Sequence, residues 1–238
     1  MIASDASRVA RLPLVRRLLG KAMARGYRFI GKDRYDDFRL ERVHGLPFMV
    51  TPSVFNPKVP RTGEFFASQL GPALDREWEV LDMGTGSGVC AVFAALYARR
   101  VVAVDINPAA VRCTVINTLL NGLHDKIDAR HGDLFEPVRG ERFDLVLFNP
   151  PFLRGAPRDP RDSAWRSTDV AERFAAGLAA HLKPGGSALV LLSTFGDGRA
   201  FLREFHNQGF KISVFAERRF VTERLTLFRL VPTERPPS

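Results

Sequence analysis

The chain has 238 residues, of which 45% are apolar, and its formal net charge is +9. This length suits one α/β domain with a full core and a short appendage. No apolar run reaches the roughly 20 residues that a membrane-spanning helix needs. The two cysteines, Cys90 and Cys113, have no metal-site or redox-motif spacing, and the histidines form no metal motif. We therefore expect a reduced, cytoplasmic protein without a membrane segment or a metal site.

The positive charge is concentrated at the N-terminus. Residues 1–32 hold eight Lys and Arg residues against the single Asp5, a net charge of +7 out of the total of +9. Residues 13–26 are predicted to form a helix whose apolar face consists of Leu14, Leu18, Leu19 and Met23. Three interpretations stay open for this segment: a contact surface for phosphate or an acidic partner, a solvated amphipathic helix, or a mitochondrial transit peptide.

Residues 1–60 are predicted to be a basic N-terminal extension, and residues 61–238 the main domain. Within the extension, Asp36–Val43 and Leu46–Thr51 flank His44-Gly45 and are predicted to form a β-hairpin. Prolines then interrupt regular structure, and a helix is predicted from Thr62 to Leu70.

From residue 79 onward, short apolar runs alternate with longer helical patterns. The predicted strands are Val80–Met83, Val101–Asp105, Asp144–Phe148 and Ala188–Leu192, and the predicted helices are Val89–Ala98, Pro108–Asn121 and Asp169–Leu182. This alternation is typical of an α/β fold with a doubly wound, Rossmann-like parallel sheet. Near the C-terminus, Lys211–Ala216 and Leu225–Val231 have no helix between them, and we expect an antiparallel pair at the sheet edge.

The first predicted strand ends in Asp82 and Met83 and continues into a loop with glycines at positions 84, 86 and 88. Glycines here allow a sharp strand-to-helix turn and the close approach of a ligand to the backbone. The spacing differs from the GxGxxG fingerprint of dinucleotide-binding enzymes. An acid before the loop favours a ligand that carries an ammonium group and no pyrophosphate.

Two further acids follow successive strands. Asp105 ends the second strand, where an acid binds ribose hydroxyls, and Asp133 follows Gly132 after the next strand, within reach of an adenine amino group. Alone, Asp105 is equally well explained as a helix cap and Asp133 as a turn residue. Three acids, each at the carboxyl end of a successive strand, are better explained by one ligand site.

With this pattern the sequence resembles the class I S-adenosylmethionine-dependent methyltransferases, over roughly Thr62 to Val231. The resemblance implies a seven-stranded sheet with one antiparallel strand, and S-adenosylmethionine as the cofactor. It also implies that Thr62 lies over the methionine carboxylate, although a threonine at a helix N-terminus needs no ligand. The cofactor-binding residues implied in this way are Thr62, Asp82, Gly84, Thr85, Gly86, Gly88, Asp105, Ile106, Asp133, Leu134 and Asn149.

The fourth strand, Asp144–Phe148, ends in the tetrapeptide Asn149-Pro150-Pro151-Phe152. The Asn149 side-chain carbonyl and the Pro150 backbone carbonyl can together accept two N–H bonds of an amide or amine. Prolines fix these carbonyls and remove a competing backbone N–H. Phe152 offers a flat face for a planar acceptor. We predict Asn149, Pro150 and Phe152 as the catalytic residues, although two prolines also form a simple strand-ending turn.

Asn-Pro-Pro followed by Tyr or Phe is the hallmark of two related groups. One comprises the HemK-like glutamine N5-methyltransferases, and the other comprises adenine N6-methyltransferases that act on DNA or RNA. The segment 51–57, followed by 61–65, is similar to compact HemK-related enzymes. Phe152 replaces the tyrosine that is usual in the glutamine group, and the leader is too short for the helical bundle of the bacterial release-factor enzymes.

The predicted function is therefore N-methylation of a planar nitrogen on a macromolecule, with a glutamine-bearing protein loop favoured as acceptor. Nucleic acid is the main alternative, supported by the basic leader and by the arginines and tryptophan after Phe152. The alternative for those arginines is a solvated loop in which they pair with Asp159 and Asp162. A small-molecule acceptor and a non-catalytic binding module are the other classes considered, and the intact tetrapeptide argues against the last.

Overall fold

The computed structural model describes residues 37–58, 61–151, 153–155, 166–221 and 223–233. Three predictions lie wholly or mostly outside the described residues: the basic N-terminal segment with its helix over residues 13–26, the placement of Phe152, and the loop after it that carries the arginines and the tryptophan.

Eleven strands occur in the described part of the chain. In chain order they are β1 (Arg39–Val43), β2 (Leu46–Val50), β3 (Glu79–Met83), β4 (Arg100–Asp105), β5 (Ile127–His131), β6 (Phe143–Phe148), β7 (Leu153–Arg154), β8 (Arg166–Ser167), β9 (Leu182–Ser193), β10 (Phe210–Arg219) and β11 (Arg224–Pro232). Seven of them form one sheet in the order β10-β11-β9-β6-β3-β4-β5. Strand β11 is antiparallel to both of its neighbours, and the pairs from β9 to β5 are parallel. The predicted fold, including its single antiparallel strand, is confirmed.

Helices cover both faces of this sheet, because its central strands are apolar on both sides. The helices are α1 (Thr62–Ser68), α2 (Val89–Ala95), α3 (Pro108–Leu120), α4 (Val170–Leu178) and α5 (Gly198–Asn207). One core cluster holds α1, α2 and the β1–β2 hairpin, and a second holds α4 and α5. In the described part of the chain, no helix has the length and apolarity to cross a bilayer.

The predicted N-terminal hairpin is present, with β1 and β2 antiparallel around His44 and Gly45. Both turn residues have positive φ, 45° and 88°, as a tight two-residue hairpin turn requires. Val43 and Phe48 are completely buried in the same cluster as α1 and α2. The domain boundary at residue 60 stays a prediction, and the hairpin before it shares the core of the main sheet.

The region after residue 169 differs most from its prediction. The predicted helix Asp169–Leu182 is shorter, because α4 ends at Leu178 and Leu182 already begins β9. Strand β9 is much longer than Ala188–Leu192 because it continues through Gly185 and Gly186. A Cβ at Gly186 would lie 2.9 Å from the carbonyl oxygen of Phe143, so close strand pairing requires glycine there. Helix α5 was not predicted.

Asn117 of α3 connects the hairpin to the loop that follows β3. Its Oδ1 accepts the Met49 backbone N–H at 2.7 Å, and its Nδ2 donates to the carbonyls of Met49 and Ser87, each at 2.8 Å. The side chain is completely buried, so water could not satisfy these backbone groups if the amide were removed. The hairpin is therefore joined to the glycine loop through one buried amide.

We expect Asn117→Ala to lower the free energy of unfolding by about 3 kcal/mol, because it leaves several buried backbone groups unpaired. Urea titration measures the change. Asn207→Ala, at the exposed end of α5, is the matched control and should change stability by no more than about 0.5 kcal/mol. Equal stabilities for the two variants would show that the amide does not hold the hairpin in place.

Candidate cofactor and acceptor site

A cavity opens where the carboxyl ends of β3, β4, β5 and β6 meet. Ligands of doubly wound sheets bind at this edge. Most of the residues predicted from the sequence lie on its wall, namely Asp82, Gly84, Thr85, Gly86, Asp105, Ile106, Asp133, Leu134, Asn149 and Pro150. The fold thus brings together residues that are separated by up to 68 positions in the chain.

The glycine loop has the backbone conformation that its sequence predicts. Gly84, Gly86 and Gly88 have φ values of 65°, 58° and 78°, in the left-handed region that favours glycine. Gly88 is not on the cavity wall. A Cβ there would lie 3.0 Å from the side chain of Thr114, so Gly88 lets the chain turn into α2 against α3. Gly84 and Gly86 leave the backbone accessible to a ligand.

Asp82 is a buried carboxylic acid at the end of β3, only 3% exposed. Its Oδ2 accepts a hydrogen bond from Thr85 Oγ1 at 2.6 Å. Burial raises the pKa of Asp82 to about 7, against the opposing effects of the Thr85 hydroxyl and the Ala91 backbone N–H. A carboxyl group in this environment gains from a cationic partner, and none of the described groups that shift the pKa of Asp82 is a cation.

Asp105 lies beside the glycine loop and is oriented by two backbone groups. Its Oδ2 accepts the Gly86 N–H at 2.8 Å, and its Oδ1 accepts the Asn107 N–H at 2.8 Å. Burial raises the pKa of Asp105, and these hydrogen bonds act in the opposite direction. Each carboxylate oxygen has a second lone pair, so both oxygens remain able to accept hydroxyl groups of a ligand.

Asn149 follows β6 directly and contacts the start of α1. Its Nδ2 donates to Thr62 Oγ1 at 3.4 Å. Its Oδ1 is buried and has no hydrogen-bond partner among the described residues. Thr62 is completely buried and does not reach the cavity wall, whereas the adjacent Gly63 does. The structure thus places Thr62 behind Asn149, and no described residue donates to the carbonyl of this asparagine.

Two residues on the wall were not predicted to have a role. Asn107 caps α3 by accepting the Ala109 N–H at 2.9 Å, and its Nδ2 donates to the Ser53 carbonyl at 3.0 Å. An asparagine directly before Pro108 is a recognisable helix-capping signal. Arg173 of α4 forms an ion pair with Asp133 at 2.6 Å. Nothing in the sequence spacing indicates this pair, because its members are 40 residues apart.

Residues 45–217 match the family described as "Methyltransferase small domain". The chain belongs to this family. It is a methyltransferase, and S-adenosylmethionine is its cofactor. The part of the chain that matches begins within the β1–β2 hairpin and ends within β10.

Two relatives resemble this family member over much of its length. A protein of Methanocaldococcus jannaschii, provisionally named as a protein N5-glutamine methyltransferase, is 30% identical over 77% of this chain and 94% of its own length. The release factor glutamine methyltransferase of Koribacter versatilis is 32% identical over 64% of this chain and 65% of its own length. The chain thus spans nearly the whole archaeal relative and slightly less than two thirds of the bacterial one.

A solved structure extends the comparison to an RNA-modifying enzyme. The 16S rRNA N2 methyltransferase RsmC of T. thermophilus, in complex with AdoMet and guanosine, is similar with a TM-score of 0.62 and 25% identity. The similar region covers 82% of this chain and 50% of that one.

The residues on the cavity wall of this methyltransferase fit its cofactor. S-adenosylmethionine carries an ammonium group, two ribose hydroxyls and a flat adenine. The buried carboxyl of Asp82 and the carboxylate of Asp105 match the first two groups. Ile106 is 56% exposed although it is apolar, and together with Leu134 it offers an apolar surface suited to adenine.

We expect cofactor affinity to rise with pH because of Asp82. With a pKa of about 7, its carboxyl is mostly protonated at pH 6 and mostly ionised at pH 8, and only the ionised form attracts an ammonium group. Calorimetry with S-adenosylhomocysteine should show affinity about tenfold higher at pH 8 than at pH 6. Asp82→Asn should bind weakly with little pH dependence. A wild-type affinity that is constant over this range would contradict the assignment.

Proposed function

We propose that this methyltransferase transfers a methyl group to the side-chain nitrogen of a glutamine in a protein. The observation that carries the proposal is the buried Asn149 Oδ1 at the end of β6, which has no donor within the part of the chain that the structure describes. A buried acceptor without a donor is costly, so a native protein that keeps one calls for a partner such as a ligand or an ordered water. An amide N–H of the acceptor is the group that fits.

The chemistry follows from where the two carbonyls lie. Asn149 Oδ1 and the backbone carbonyl of Pro150 accept the two N–H bonds of the incoming amide, and Pro150 and Pro151 limit the movement of this segment. The bound cofactor supplies a methyl group on a positively charged sulfur. As the nitrogen gains the methyl group it becomes positive and its N–H bonds become stronger donors, so fixed acceptors bind the transition state better than the ground state. One of the two N–H protons is then lost to solvent, which leaves a neutral N-methyl amide. Phe152, outside the described residues, stays the predicted stacking surface.

The cofactor roles are part of the same proposal. Asp82, with the backbone of the glycine loop, binds the methionine end, and Gly88 contributes by shaping this loop from outside the cavity wall. Asp105 binds the ribose hydroxyls, and Asp133 binds the adenine amino group. Gly63 lines the cavity, whereas Thr62 does not. Thr62 therefore contributes to the site indirectly, by accepting a hydrogen bond from the Asn149 side chain.

The glutamine acceptor is supported by the relatives. The archaeal protein, nearly all of which the chain spans, and the bacterial release factor enzyme are both named for glutamine methylation. An RNA acceptor is the second candidate, supported by the similarity to RsmC and by the basic leader. The cytoplasm is the proposed compartment, in keeping with the two free, buried cysteines.

We expect Asn149→Ala to reduce turnover by about 100-fold or more, because it removes one preorganised acceptor for the nitrogen that becomes positive. Binding of S-adenosylhomocysteine should remain near the wild-type value. Asn207→Ala, at the exposed C-terminal end of α5 and not on the cavity wall, serves as the control and should keep full turnover. If Asn149→Ala retains near-normal turnover on the true acceptor, nitrogen methylation through this residue is wrong.

The acceptor class is tested with tritiated S-adenosylmethionine and extract from a strain that lacks the protein. Wild-type protein transfers label to its acceptor, and aliquots are digested separately with nuclease and with protease. The proposal requires label that protease releases and nuclease does not. Label released by nuclease would replace the glutamine proposal with a nucleic acid acceptor. Label in neither macromolecule would identify a metabolite.

A further inference from the structure

Asp133 and Arg173 form an ion pair on the cavity wall. The distance from Arg173 Nη2 to Asp133 Oδ2 is 2.6 Å, and both side chains are partly exposed, by 46% and 33%. Arg173 Nη1 also lies 4.0 Å from Oδ1 of Asp169, the residue directly before helix α4. Asp133 raises the pKa of the Arg173 guanidinium, which therefore stays charged throughout the working range of pH.

The backbone around Asp133 is closely constrained. A Cβ at Gly132 would lie 2.3 Å from Pro137 Cγ, so only glycine fits before Asp133. Leu134 has a φ of 48°, in the left-handed region that leucine rarely adopts. The chain thus turns sharply on both sides of Asp133, and these turns fix the position of its Cα atom. The direction of the carboxylate is then set by its ion pair.

Helix α4, which carries Arg173, is held against the sheet by the residue after Arg173, Phe174. The ring of Phe174 stacks on Phe148 with ring centroids 4.2 Å apart, and on Phe135 with centroids 5.4 Å apart. Phe148 is the last residue of β6, directly before Asn149. Consecutive residues of α4 therefore contact the adenine side and the acceptor side of the cavity.

We infer that Arg173 is a positioning residue for the cofactor: it orients Asp133 toward the exocyclic amino group of adenine. The inference rests on the proposed function, which places adenine beside Asp133. The ion pair engages Oδ2 of the carboxylate, and Oδ1 then accepts a hydrogen bond from the amino group. Arg173 thereby contributes to the selection of adenine over a base that lacks this donor.

A purely structural role for the pair predicts something different. Partly exposed ion pairs contribute little to stability, because solvent screens them and both side chains lose conformational freedom. If Arg173 only packs α4 against the sheet, its replacement should affect all nucleoside ligands alike. Discrimination between two bases is therefore the quantity that separates a positioning role from a structural one.

The test compares S-adenosylhomocysteine with S-inosylhomocysteine, in which an oxo group replaces the amino group. We expect wild-type protein to prefer the adenosyl compound in calorimetry, and Arg173→Gln to lose about tenfold in affinity for it while its affinity for the inosyl compound changes little. Arg139→Gln, at an 80% exposed position paired with Glu136, is the matched charge control and should behave as wild type. The thermal midpoint should be similar for all three proteins.

Two results would overturn the inference: wild-type affinity of Arg173→Gln for the adenosyl compound, or an equal loss for both compounds. In either case the wild-type protein still binds S-adenosylhomocysteine, so the assignment of the cavity to the cofactor stands. Failure of the wild-type protein to bind either compound would instead contradict the assignment of this cavity to the cofactor, and the role of Arg173 with it.

Discussion

The parallel pairing of β3 with β4 and with β6 is the constraint on which the site depends. Met83 is paired with Val104 in one neighbour and with Phe148 in the other, so the three strands end level with one another. The residues that follow these pairs are the glycine loop, Asp105 and Asn149. A shift of register by one residue would turn each strand's side chains to the opposite face and separate these groups.

The site also holds polar groups that the folded protein alone does not satisfy well. Burial makes the ionised form of Asp82 unfavourable, and the buried carbonyl oxygen of Asn149 finds no donor among residues 37–58, 61–151, 153–155, 166–221 and 223–233. Both features destabilise the free protein, and each matches one part of the reaction. The ammonium of the cofactor suits Asp82, and an acceptor N–H suits Asn149. Binding of the two ligands relieves the cost of these buried polar groups, and this relief favours binding.

Much of the fold was predictable because its signals are local. The central strands are continuous apolar runs, and the glycine loop and the His44-Gly45 turn each have their own sequence signal. The extent of β9 was not predictable, since Gly185 and Gly186 are characteristic of a turn. Helix α5 begins at a glycine, Gly198, which lies two residues after Gly196, although Asp197 caps the helix by accepting the Ala200 N–H. The contacts of Thr62 and Arg173 depend on tertiary packing, which no sequence spacing encodes.

The central claim, methylation of a planar nitrogen held by Asn149, is tested most directly by finding the atom that carries the methyl group. Labelled acceptor is hydrolysed in strong acid, the hydrolysate is made alkaline so that any amine becomes volatile, and the volatile products are separated. N-methylation of a glutamine side chain predicts release of the label as methylamine. Release of the label as methanol under mild base would place the methyl group on a carboxylate oxygen. Label that stays on an amino acid carbon after acid hydrolysis would place it on carbon, and either result would contradict the claim.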